Sequence, residues 1–565
     1  MDELIQEPRQ LRHLARNSQN LSIVLHQFSR DDMTISAEKK FNTVGTCNPS
    51  KHYMLPVIQR QPGIGEMIEN EYYFTLHAPR QTGKTTCLNF LTDTINNEGQ
   101  WYALNCSLAT LRNTVAENET MTKVVSQINA AMDSSGVEVI REKAFTYNSL
   151  PGMDAPDYKV RKILNQLCRD LDKDLVVFFD EADLLSGQGL LSFLAQVRDG
   201  YLYRDETVNR FPRSMALVGM RDILDCLIKV RPDDESPGEG SPFNVNKESL
   251  TLSNFSRDEI RALYGQHSAA AGQQFDDSAM DRAWDWTEGQ PWLVNALADQ
   301  IVSVQLKNDH RETITVGHFD QAAETLVKGR STHVGSLLAR LREPRVIRVM
   351  DAVFAGNDLT IPVNSDDRRF CLDLGLLSEN EDRTLRPANK IYGEAMSRAL
   401  TDEIEHFLDI DVETKSWTDG RILHMSGLLR EFQIFWRQGS DSFPFRHGDF
   451  AAFKYDEAIY SFMLLAYLQK IVNSGGLVYR EYAEGRGAVD IAIHYGGHEY
   501  LVEVKLKGEK TLDDWQRQLA GYLDAAGQDE GWLVIFDRDR NKAWEEKIYW
   551  ENTLFLGKTM HLVGC

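Results

Sequence analysis

The chain has 565 residues, of which 42% are hydrophobic and 26% charged, an ordinary composition for globular protein. Its length predicts about three or four domains. The formal net charge of −22 argues against a surface that coats nucleic acid by bulk electrostatics, although it is compatible with a local basic groove. Seven scattered cysteines, a charged N-terminus and the absence of any apolar run long enough to span a membrane are typical of a cytoplasmic protein.

The order of apolar runs and helix-like stretches divides the sequence into six predicted regions. They are a variable extension at 1–40, an α/β region at 41–248, an all-helical region at 249–332, a small helical unit at 333–410, a helical linker at 411–448 and a second α/β region at 449–565. Helix starts are predicted at Ser256 and Val316. In the linker, an apolar-periodic helix is predicted over 421–437, with Thr418 and Asp419 as N-cap candidates.

Four short apolar runs in the first α/β region alternate with helix-like stretches. The runs are YYFTLHAP (72–79), WYALNCS (101–107), DLVVFFDE (174–181) and SMALVGM (214–220). This alternation is typical of a parallel sheet that is covered by helices on both faces. Ligands bind such proteins at the carboxyl ends of the strands, so the polar residues that follow these runs are candidates for a binding site.

A phosphate-binding loop is predicted directly after the first run. Residues 78–85 read APRQTGKT, which departs from the pattern G-x-x-x-x-G-K-[ST] only in its first residue, Ala78. Backbone N–H groups of such a loop surround the phosphates of ATP, the lysine reaches the β- and γ-phosphates, and the next hydroxyl binds Mg²⁺. The candidate ATP-binding residues are Ala78, Arg80, Gln81, Thr82, Gly83, Lys84, Thr85 and Thr86.

Acidic residues follow the third run. Asp180 is expected to hold Mg²⁺ together with Thr85, and Glu181 is expected to polarise the attacking water as a general base. Asp183 is interpreted as a helix-terminus residue. Arg221, after the fourth run, is either a sensor of the γ-phosphate or a partner in an ordinary ion pair. The candidates for an arginine finger toward a neighbouring subunit are Arg204, Arg210 and Arg213.

Over about residues 41–400, the chain resembles the AAA-like ATPases of the archaeal and bacterial MNS/STAND type. The matching stretches are HYMLP (52–56), YFTLHAPRQTGKTT (73–86), FFDEADLL (178–185), ALVGMRD (216–222) and GQPWLVNALA (289–298). The resemblance implies ATP hydrolysis, a helical lid at 249–332, a winged helix at 333–410 and action as a homo-oligomer or ligand-triggered switch. A nucleic-acid contact and a solvated helix face are both compatible with the arginines at 340, 342, 345 and 348.

In the second α/β region, two period-2 strands flank Gly496 and Gly497, which is typical of a two-residue β-hairpin. Pairing outward from this turn places Asp490 directly opposite Glu503. Like charges in that position destabilise a sheet, and a divalent cation between them removes the penalty. Lys505 shares their face. Because carboxylates suit Mg²⁺ or Mn²⁺, the hairpin predicts a metal site.

The order D, then E-x-K on the next strand, resembles the PD-(D/E)XK nuclease superfamily over about residues 450–540. Val489 stands where the superfamily often has proline. The preceding helix carries Glu457, and the following helix carries a Q-x-x-x-Y pair, as in RecB-like nucleases. The resemblance implies catalytic roles for Asp490, Glu503, Lys505, Glu457, Gln518 and Tyr522, and metal binding by Glu457, Asp490 and Glu503.

The two resemblances predict an α/β protein with a P-loop ASCE ATPase, helical lid and winged helix, followed by a restriction-endonuclease-like domain. The predicted function is an ATP-regulated, metal-dependent DNA nuclease in defence against foreign DNA, with ATP, Mg²⁺ or Mn²⁺ and DNA as ligands. Two alternatives remain open. One is an ATP-driven signalling or assembly switch whose C-terminal domain binds DNA without cutting it, and the other is a DNA-remodelling motor.

Overall fold

The computed structural model describes residues 39–565 except 57–59, 113, 115, 148–157, 205–208, 222, 224–244, 330–331, 356–360, 363–364, 406–416, 420–421, 440–454, 457, 473–475, 481–488, 509–510 and 540. The predicted extension at 1–40 therefore lies outside the described residues except for its last two. The described chain forms a five-stranded sheet, a six-stranded sheet and two sheets of two strands each. None of its helices is both long and apolar enough to cross a membrane.

The first α/β region folds around a parallel sheet of strand order β2–β3–β4–β1–β5. The strands are β1 (Tyr73–His77), β2 (Tyr102–Ser107), β3 (Leu175–Asp180), β4 (Ser214–Gly219) and β5 (Asn246–Thr251). The first four confirm the strands that were predicted from the four apolar runs. The sequence pattern does not predict β5, because this edge strand reads NKESLT and is largely exposed, so it carries no apolar signal. It also extends past the boundary expected at 248.

Helices cover both faces of this sheet. They are α1 (Pro62–Glu69), α2 (Lys84–Glu98), α3 (Glu117–Asp133), α4 (Glu138–Tyr147), α5 (Lys159–Asp170) and α6 (Gly187–Leu202). Successive residues of β3 enter different apolar clusters: Val177 packs with Phe193 on one face, and Phe178 packs with Leu88 on the other. This alternation is what a strand buried on both faces requires, and it places Asp180 at the carboxyl edge.

A helical region follows, formed by α7 (Arg257–Ala271), α8 (Asp277–Thr287), α9 (Pro291–Asp299) and α10 (Val316–Gly329). Both predicted helix starts are confirmed. At the start of α7, Ser256 and Glu259 form a capping box, in which each side chain accepts a hydrogen bond from the other residue's backbone N–H. We refer to residues 256–329 as the lid region.

The next unit contains α11 (Thr332–Leu338), α12 (Pro344–Phe354), α13 (Asp366–Asp373), β6 (Leu377–Glu379), β7 (Leu385–Pro387) and α14 (Lys390–Glu405). Strands β6 and β7 pair antiparallel and form a small wing beside the helices. We refer to residues 332–405 as the winged-helix-like unit. Its core is continuous with the lid region and with the C-terminal region, since Leu297, Ile391 and Phe462 belong to one apolar cluster.

The predicted linker helix is present, but it begins later than expected, as α15 (Met425–Gly439). The N-cap prediction is wrong, because Thr418 and Asp419 form β8, which pairs antiparallel with β9 (Ile422–Leu423). The N–H of His424 donates to the carbonyl of Trp417 at 2.7 Å. The residues that were expected to cap the helix therefore lie in a strand that pairs with the chain immediately before α15.

The C-terminal region folds around a mixed sheet of order β10–β11–β12–β13–β15–β14. Its elements are α16 (Ile459–Val472), β10 (Gly476–Tyr479), β11 (Ile491–Tyr495), β12 (His498–Leu506), α17 (Leu512–Ala526), β13 (Glu530–Phe536), α18 (Trp544–Lys547), β14 (Tyr549–Phe555) and β15 (Lys558–Gly564). One face packs Val504 against Phe462 of α16, and the other packs Leu501 against Leu519 of α17. Helix α15 joins this region, because Gln433 donates to the Gly564 carbonyl at 2.7 Å.

The hairpin formed by β11 and β12 has the predicted turn and register. Gly496 (φ 59°) and Gly497 (φ 88°) both adopt the left-handed backbone that such a two-residue turn requires. Ile491 pairs with Val502, and Tyr495 pairs with His498. In this register, residue 490 lies one position before β11 and directly opposite residue 503.

Candidate functional sites

The loop between β1 and α2 has the backbone shape of a phosphate cradle. Gln81 (φ 63°) and Gly83 (φ 91°) are left-handed, and Gly83 is the N-cap of α2. A turn of this kind followed by a helix N-terminus presents a concave row of N–H groups suited to an anion. Ala78, by contrast, extends β1, and its N–H donates to the Gly219 carbonyl at 3.2 Å. The position occupied by Ala78 therefore needs no glycine backbone.

Lys84 is held inside this loop. Its Nζ donates to the carbonyls of Ala78 at 2.6 Å and Pro79 at 2.7 Å. Burial lowers the pKa of Lys84 to about 8, against the opposing charges of Asp183 and Asp180. An anion beside the ammonium would favour its charged form, so the site is electrostatically suited to phosphate.

The carboxylate that ends β3 faces the start of α2. The Thr85 hydroxyl donates to Asp180 Oδ2 at 2.7 Å, and Asp180 Oδ1 accepts the Glu181 N–H at 2.9 Å. Asp180 is almost fully buried. A hydroxyl and a carboxylate oxygen in contact are ligands of the kind that Mg²⁺ prefers, so these two residues fit the metal.

Glu181 follows with a left-handed backbone (φ 59°), which is strained for a residue with a side chain. Burial raises the pKa of the Glu181 carboxyl, and the neighbouring charges of Asp180 and Asp183 raise it further. The strain and the raised pKa together mark Glu181 as a group whose position is imposed by its surroundings.

Asp183 lies in the first turn of the short helix after β3, as predicted, and it also belongs to the charged group around Lys84, which the sequence did not predict. A Cβ atom at Gly219 would meet Asp183 Oδ1 at 2.6 Å, so only a glycine at the end of β4 admits this carboxylate. Burial raises the pKa of Asp183, whereas a backbone hydrogen bond from Met220 and the charge of Lys84 lower it. The signal available in the sequence was the third acidic residue of D-E-A-D.

The remaining residues of the predicted cradle make local contacts. The Thr82 hydroxyl donates to the Pro79 carbonyl at 2.8 Å and is buried. Arg80 Nε lies 3.2 Å from the sulfur of Met220, at the end of β4. These contacts join the loop to its own strand and to the neighbouring one, and they help to fix its shape.

Three other parts of the chain contact the cradle from outside. The Thr86 hydroxyl accepts the N–H of Cys47 at 3.1 Å, and the Gln81 carbonyl accepts the amide of Gln290 from the lid region at 3.2 Å. A Cβ atom at Gly375 of the winged-helix-like unit would lie 2.6 Å from Pro79 Cβ. The site is thus built at a junction between the parallel sheet and both following units.

Arg221 makes the ion pair that was the alternative to a phosphate sensor. Its Nε lies 3.3 Å from Asp373 Oδ2, and one terminal nitrogen lies 3.9 Å from Asp366 Oδ1. Both carboxylates belong to α13, so the end of β4 is joined to the winged-helix-like unit. A role for Arg221 toward phosphate stays a prediction.

The other candidate arginines make contacts within the chain. Arg204 and Arg213 donate to the carbonyls of Glu71 at 2.9 Å and Glu69 at 2.7 Å, at the amino edge of the sheet. The side chains at 340, 342, 345 and 348 all form ion pairs, with Glu343, Glu403, Asp366 and Asp367. These pairs favour the solvated helix face over a nucleic-acid contact.

A second group of charges lies at the start of β11. The N–H of Asp490 donates to Glu503 Oε2 at 3.3 Å, and Asp490 Oδ2 accepts the Val504 N–H at 2.8 Å. Lys505 Nζ lies 2.5 Å from Glu503 Oε1 and 3.9 Å from Asp490 Oδ2. The structure therefore brings the three predicted residues of the hairpin together, and we refer to them as the carboxylate site.

Burial determines the electrostatics of the carboxylate site. Glu503 is fully buried, and burial together with the charge of Asp490 raises its pKa to about 7, although Lys505 lowers it. For Lys505, burial works to lower the pKa, but the two carboxylates outweigh it and raise the pKa overall. In this arrangement Lys505 offsets the negative charge of the two carboxylates, as a divalent cation would. The carboxylate oxygens are hard ligands and fit Mg²⁺ or Mn²⁺.

The Q-x-x-x-Y pair of α17 lies on the same side of the sheet. Gln518 donates to the Tyr522 hydroxyl at 2.6 Å. Burial raises the pKa of Tyr522 to about 12, and the charges of Glu503 and Asp490 contribute to the rise. Glu457 lies outside the described residues. Within the residues that the structure describes, no three acidic, histidine or cysteine side chains converge on a metal-sized site.

Arg480 is a residue of the carboxylate site that sequence reasoning missed. It follows β10, is almost fully buried, and places a terminal nitrogen 3.7 Å from Asp490 Oδ1. No motif marks it, because the contact depends on how α12 and α16 pack beside the hairpin. No pattern around position 480 in the sequence indicates that this arginine is buried, so its contact with the carboxylate site could not be predicted.

Two parts of the chain match known protein families. Residues 68–227 match the family described as an AAA domain. The first α/β region is therefore similar to AAA domains. Residues 447–540, which include the carboxylate site, match a domain of unknown function, DUF8371. None of the curated proteins matches the chain.

Several solved structures are similar to the chain. The Walker-type ATPase of Pyrococcus abyssi is 16% identical, with 62% of this chain and 98% of that chain covered and a TM-score of 0.42. The ORC2 protein of Aeropyrum pernix is 12% identical, with coverages of 62% and 92% and a TM-score of 0.34. The Holliday junction branch migration motor RuvB of Thermotoga maritima is 14% identical, with coverages of 60% and 91% and a TM-score of 0.32.

Proposed function

We propose that this chain hydrolyses ATP at the cradle and, under the control of that site, cuts DNA at the carboxylate site in a metal-dependent reaction. The observation that carries the nuclease assignment is the convergence of Asp490, Glu503 and Lys505 on one side of a hairpin. Two adjacent carboxylates with a lysine suit phosphodiester hydrolysis, because they combine a site for a divalent cation with a positive charge for the transition state.

At the cradle, we assign separate roles to the residues of the proposed ATPase. Loop N–H groups and Lys84 bind the β- and γ-phosphates, and Thr85 with Asp180 would hold the Mg²⁺ that accompanies ATP. Glu181 accepts a proton from the attacking water, and its raised pKa makes it a stronger base than an ordinary carboxylate. The charge of Asp183 favours the charged form of Lys84 and opposes the lowering of its pKa by burial.

At the carboxylate site, Asp490 and Glu503 would hold the divalent cation. When bound, this cation would polarise the scissile phosphate and lower the pKa of a water molecule. Lys505 would leave its ion pair with Glu503 and stabilise the negative charge that develops on the phosphate oxygens. Gln518 and Tyr522 would orient the lysine, because both lie on the helix that faces it.

Control of the nuclease by ATP is proposed because the winged-helix-like unit contacts the end of β4 beside the cradle and also the C-terminal region that carries the carboxylate site. On one side, Asp373 pairs with Arg221 at 3.3 Å. On the other, the Asp351 carboxylate accepts the N–H of Ala458 at 2.9 Å. A movement of this unit in response to nucleotide would therefore act on the C-terminal region directly. Assembly into homo-oligomers and defence against foreign DNA are proposed from the resemblance alone.

One observation favours a second candidate function, an ATP-driven switch whose C-terminal region binds DNA without cutting it. Lys505 and Arg480 already offset the two carboxylates, so the site is balanced in charge without a cation. Such a cluster can persist as a structural feature in a domain that has lost catalysis. The two candidates differ in whether Asp490 is needed for cleavage.

The test is a cleavage assay with single- and double-stranded DNA, with and without ATP, in Mg²⁺ or Mn²⁺. We expect cleavage that depends on the metal and changes with ATP, and we expect Asp490→Ala to abolish it. Glu551→Ala is the matched control, because this exposed carboxylate lies on β14 at the far edge of the same sheet. Unchanged cleavage by Asp490→Ala would refute the assignment, and DNA binding without cleavage by the wild-type protein would favour the switch.

A further inference from the structure

Arg480 joins the carboxylate site to the winged-helix-like unit. Its guanidinium donates to the Phe354 carbonyl, at the last residue of α12, while the same terminal nitrogen lies 3.7 Å from Asp490 Oδ1. The ring centroids of Phe354 and Phe462 lie 5.1 Å and 5.5 Å from the guanidinium carbon. A single buried cation thus contacts the C-terminal end of one unit's helix and a carboxylate of the other.

The environment of Arg480 favours a fixed position. The carboxyl end of a helix carries partial negative charge, so a cation on the last carbonyl of α12 is favourable. Two aromatic faces hold the planar guanidinium in place. The backbone of Arg480 also lies near the buried carboxylate of Glu394 on α14, and it works to lower the pKa of that carboxyl. The side chain of Arg480 is therefore attached to the winged-helix-like unit at the last residue of α12.

The other end of α12 contacts α13, a helix of the same unit that also contacts Arg221 beside the nucleotide cradle. Arg345 of α12 lies 2.6 Å from Asp366 and 2.7 Å from Asp367, at the start of α13. Helix α13 also supplies Asp373 to Arg221 at 3.3 Å. A displacement of α12 would therefore move the Phe354 carbonyl and change the position of Arg480, which donates to it.

We propose that Arg480 is a positioning residue that fastens Asp490 to α12, so that the carboxylate site is correctly formed only while the winged-helix-like unit is docked. The proposal rests on the proposed nuclease function and adds its regulation. Asp490 precedes β11. Among the described residues, its carboxylate accepts one backbone hydrogen bond from the sheet, which the Val504 N–H donates to Oδ2. The orientation of its second oxygen therefore depends on the contact with Arg480.

The first experiment measures Mn²⁺ binding to the full-length, nucleotide-free protein by electron paramagnetic resonance. Arg480→Lys keeps the charge but loses the planar group that contacts the Phe354 carbonyl and Asp490 together. We expect about tenfold weaker Mn²⁺ binding at the site that Asp490→Ala removes, as is common when a residue that orients a ligand is changed. Arg437→Lys is the matched control, because Arg437 pairs with Glu545 at the surface of the same region. Wild-type affinity in Arg480→Lys would overturn the proposal.

The second experiment separates this proposal from the nuclease assignment, since it needs neither metal nor cleavage. Hydrogen exchange is measured at the backbone amides of the last turn of α12 in wild-type and Asp490→Ala proteins. Loss of the carboxylate should release Arg480 and accelerate this exchange about fivefold, although residue 490 is in a different unit. The exposed variant Glu551→Ala should leave it unchanged. Equal exchange in Asp490→Ala and wild type would overturn the proposal even if the protein cuts DNA.

Discussion

The nucleotide cradle and the carboxylate site both gather charge at the ends of buried strands, but they are built from different parts of the chain. The cradle is mostly backbone: a left-handed turn, a helix start and a lysine held on two carbonyls of its own loop. The carboxylate site is mostly side chain, and its cations come from β12 and from the segment after β10. The phosphate-binding loop of the cradle lies within eight residues of sequence, from Ala78 to Thr85, whereas the carboxylate site depends on tertiary packing.

The largest expected effect tests whether the two sites are independent in chemistry. Lys84→Ala should abolish ATP turnover, because it removes the ammonium group that the carbonyls of Ala78 and Pro79 hold in the cradle. Asp490→Ala should leave ATP turnover within about twofold of wild type, because residue 490 lies in a separate domain. Phosphate release by purified protein measures both.

The same pair of variants has an informative failure. If Asp490→Ala loses ATP turnover while keeping its thermal midpoint, the sites are coupled in catalysis and not only through docking. If Lys84→Ala hydrolyses ATP normally, the cradle assignment is wrong. Lys162→Ala, an exchange on α5 outside the cradle, is the control for loss of a lysine in the same domain.

The next effect concerns Glu181, which sharpens the contrast within the cradle. Glu181→Gln should retain ATP binding and slow hydrolysis by roughly 10²- to 10⁴-fold, the usual contribution of a positioned base. Its left-handed backbone does not depend on the charge, so the substitution should be tolerated. Nucleotide affinity from fluorescence and single-turnover hydrolysis separate the two quantities. Normal hydrolysis by this variant would move the base to another residue, with Asp183 the nearest candidate.

The difference between the sites also explains what the sequence could predict. The loop from Ala78 to Thr85 and the hairpin register follow from local patterns, and the structure has both. Strand β5 has a polar edge-strand sequence, and Asp183 becomes part of the cradle only because Gly219 leaves room for it. Arg480 joins the carboxylate site through packing of α12 and α16. Features that depend on distant packing carry no periodic signal, which is why they were missed.

A smaller effect is expected from the buried carboxylate of Glu394, next to the Arg480 backbone. Burial raises its pKa to about 8 from 4.5, and Arg398 opposes that rise. Because the folded-state pKa is above the unfolded one, the stabilisation is complete below pH 4.5 and is lost as pH rises through 8. A tenfold change in proton affinity between the two states corresponds to roughly 1.4 kcal/mol. Glu394→Gln, which imitates the protonated form, should lose less stability between pH 6 and pH 8 than wild type does.

Thermal midpoints at both pH values measure this difference. Glu551→Gln, an exposed carboxylate on β14, is the control and should follow the wild-type pH dependence. If wild type and Glu394→Gln lose stability in parallel, the carboxyl of Glu394 does not titrate over this range. The contact between α14 and the Arg480 segment would then owe nothing to its protonation state.

The smallest expected effect tests the departure of the cradle from its motif. Ala78 is fully buried and continues β1, while the left-handed positions of the loop are Gln81 and Gly83. Ala78→Gly restores the first glycine of the motif, but it adds conformational freedom where none is used. It should cost about 0.5–1 kcal/mol of stability and change ATP turnover by less than about threefold. A Gly83→Ala protein, whose left-handed backbone disfavours a side chain, should lose far more turnover. If Ala78→Gly raised turnover tenfold, the alanine would be a restraint on catalysis, and the cradle would depend on a side chain at a position where the loop geometry requires only backbone.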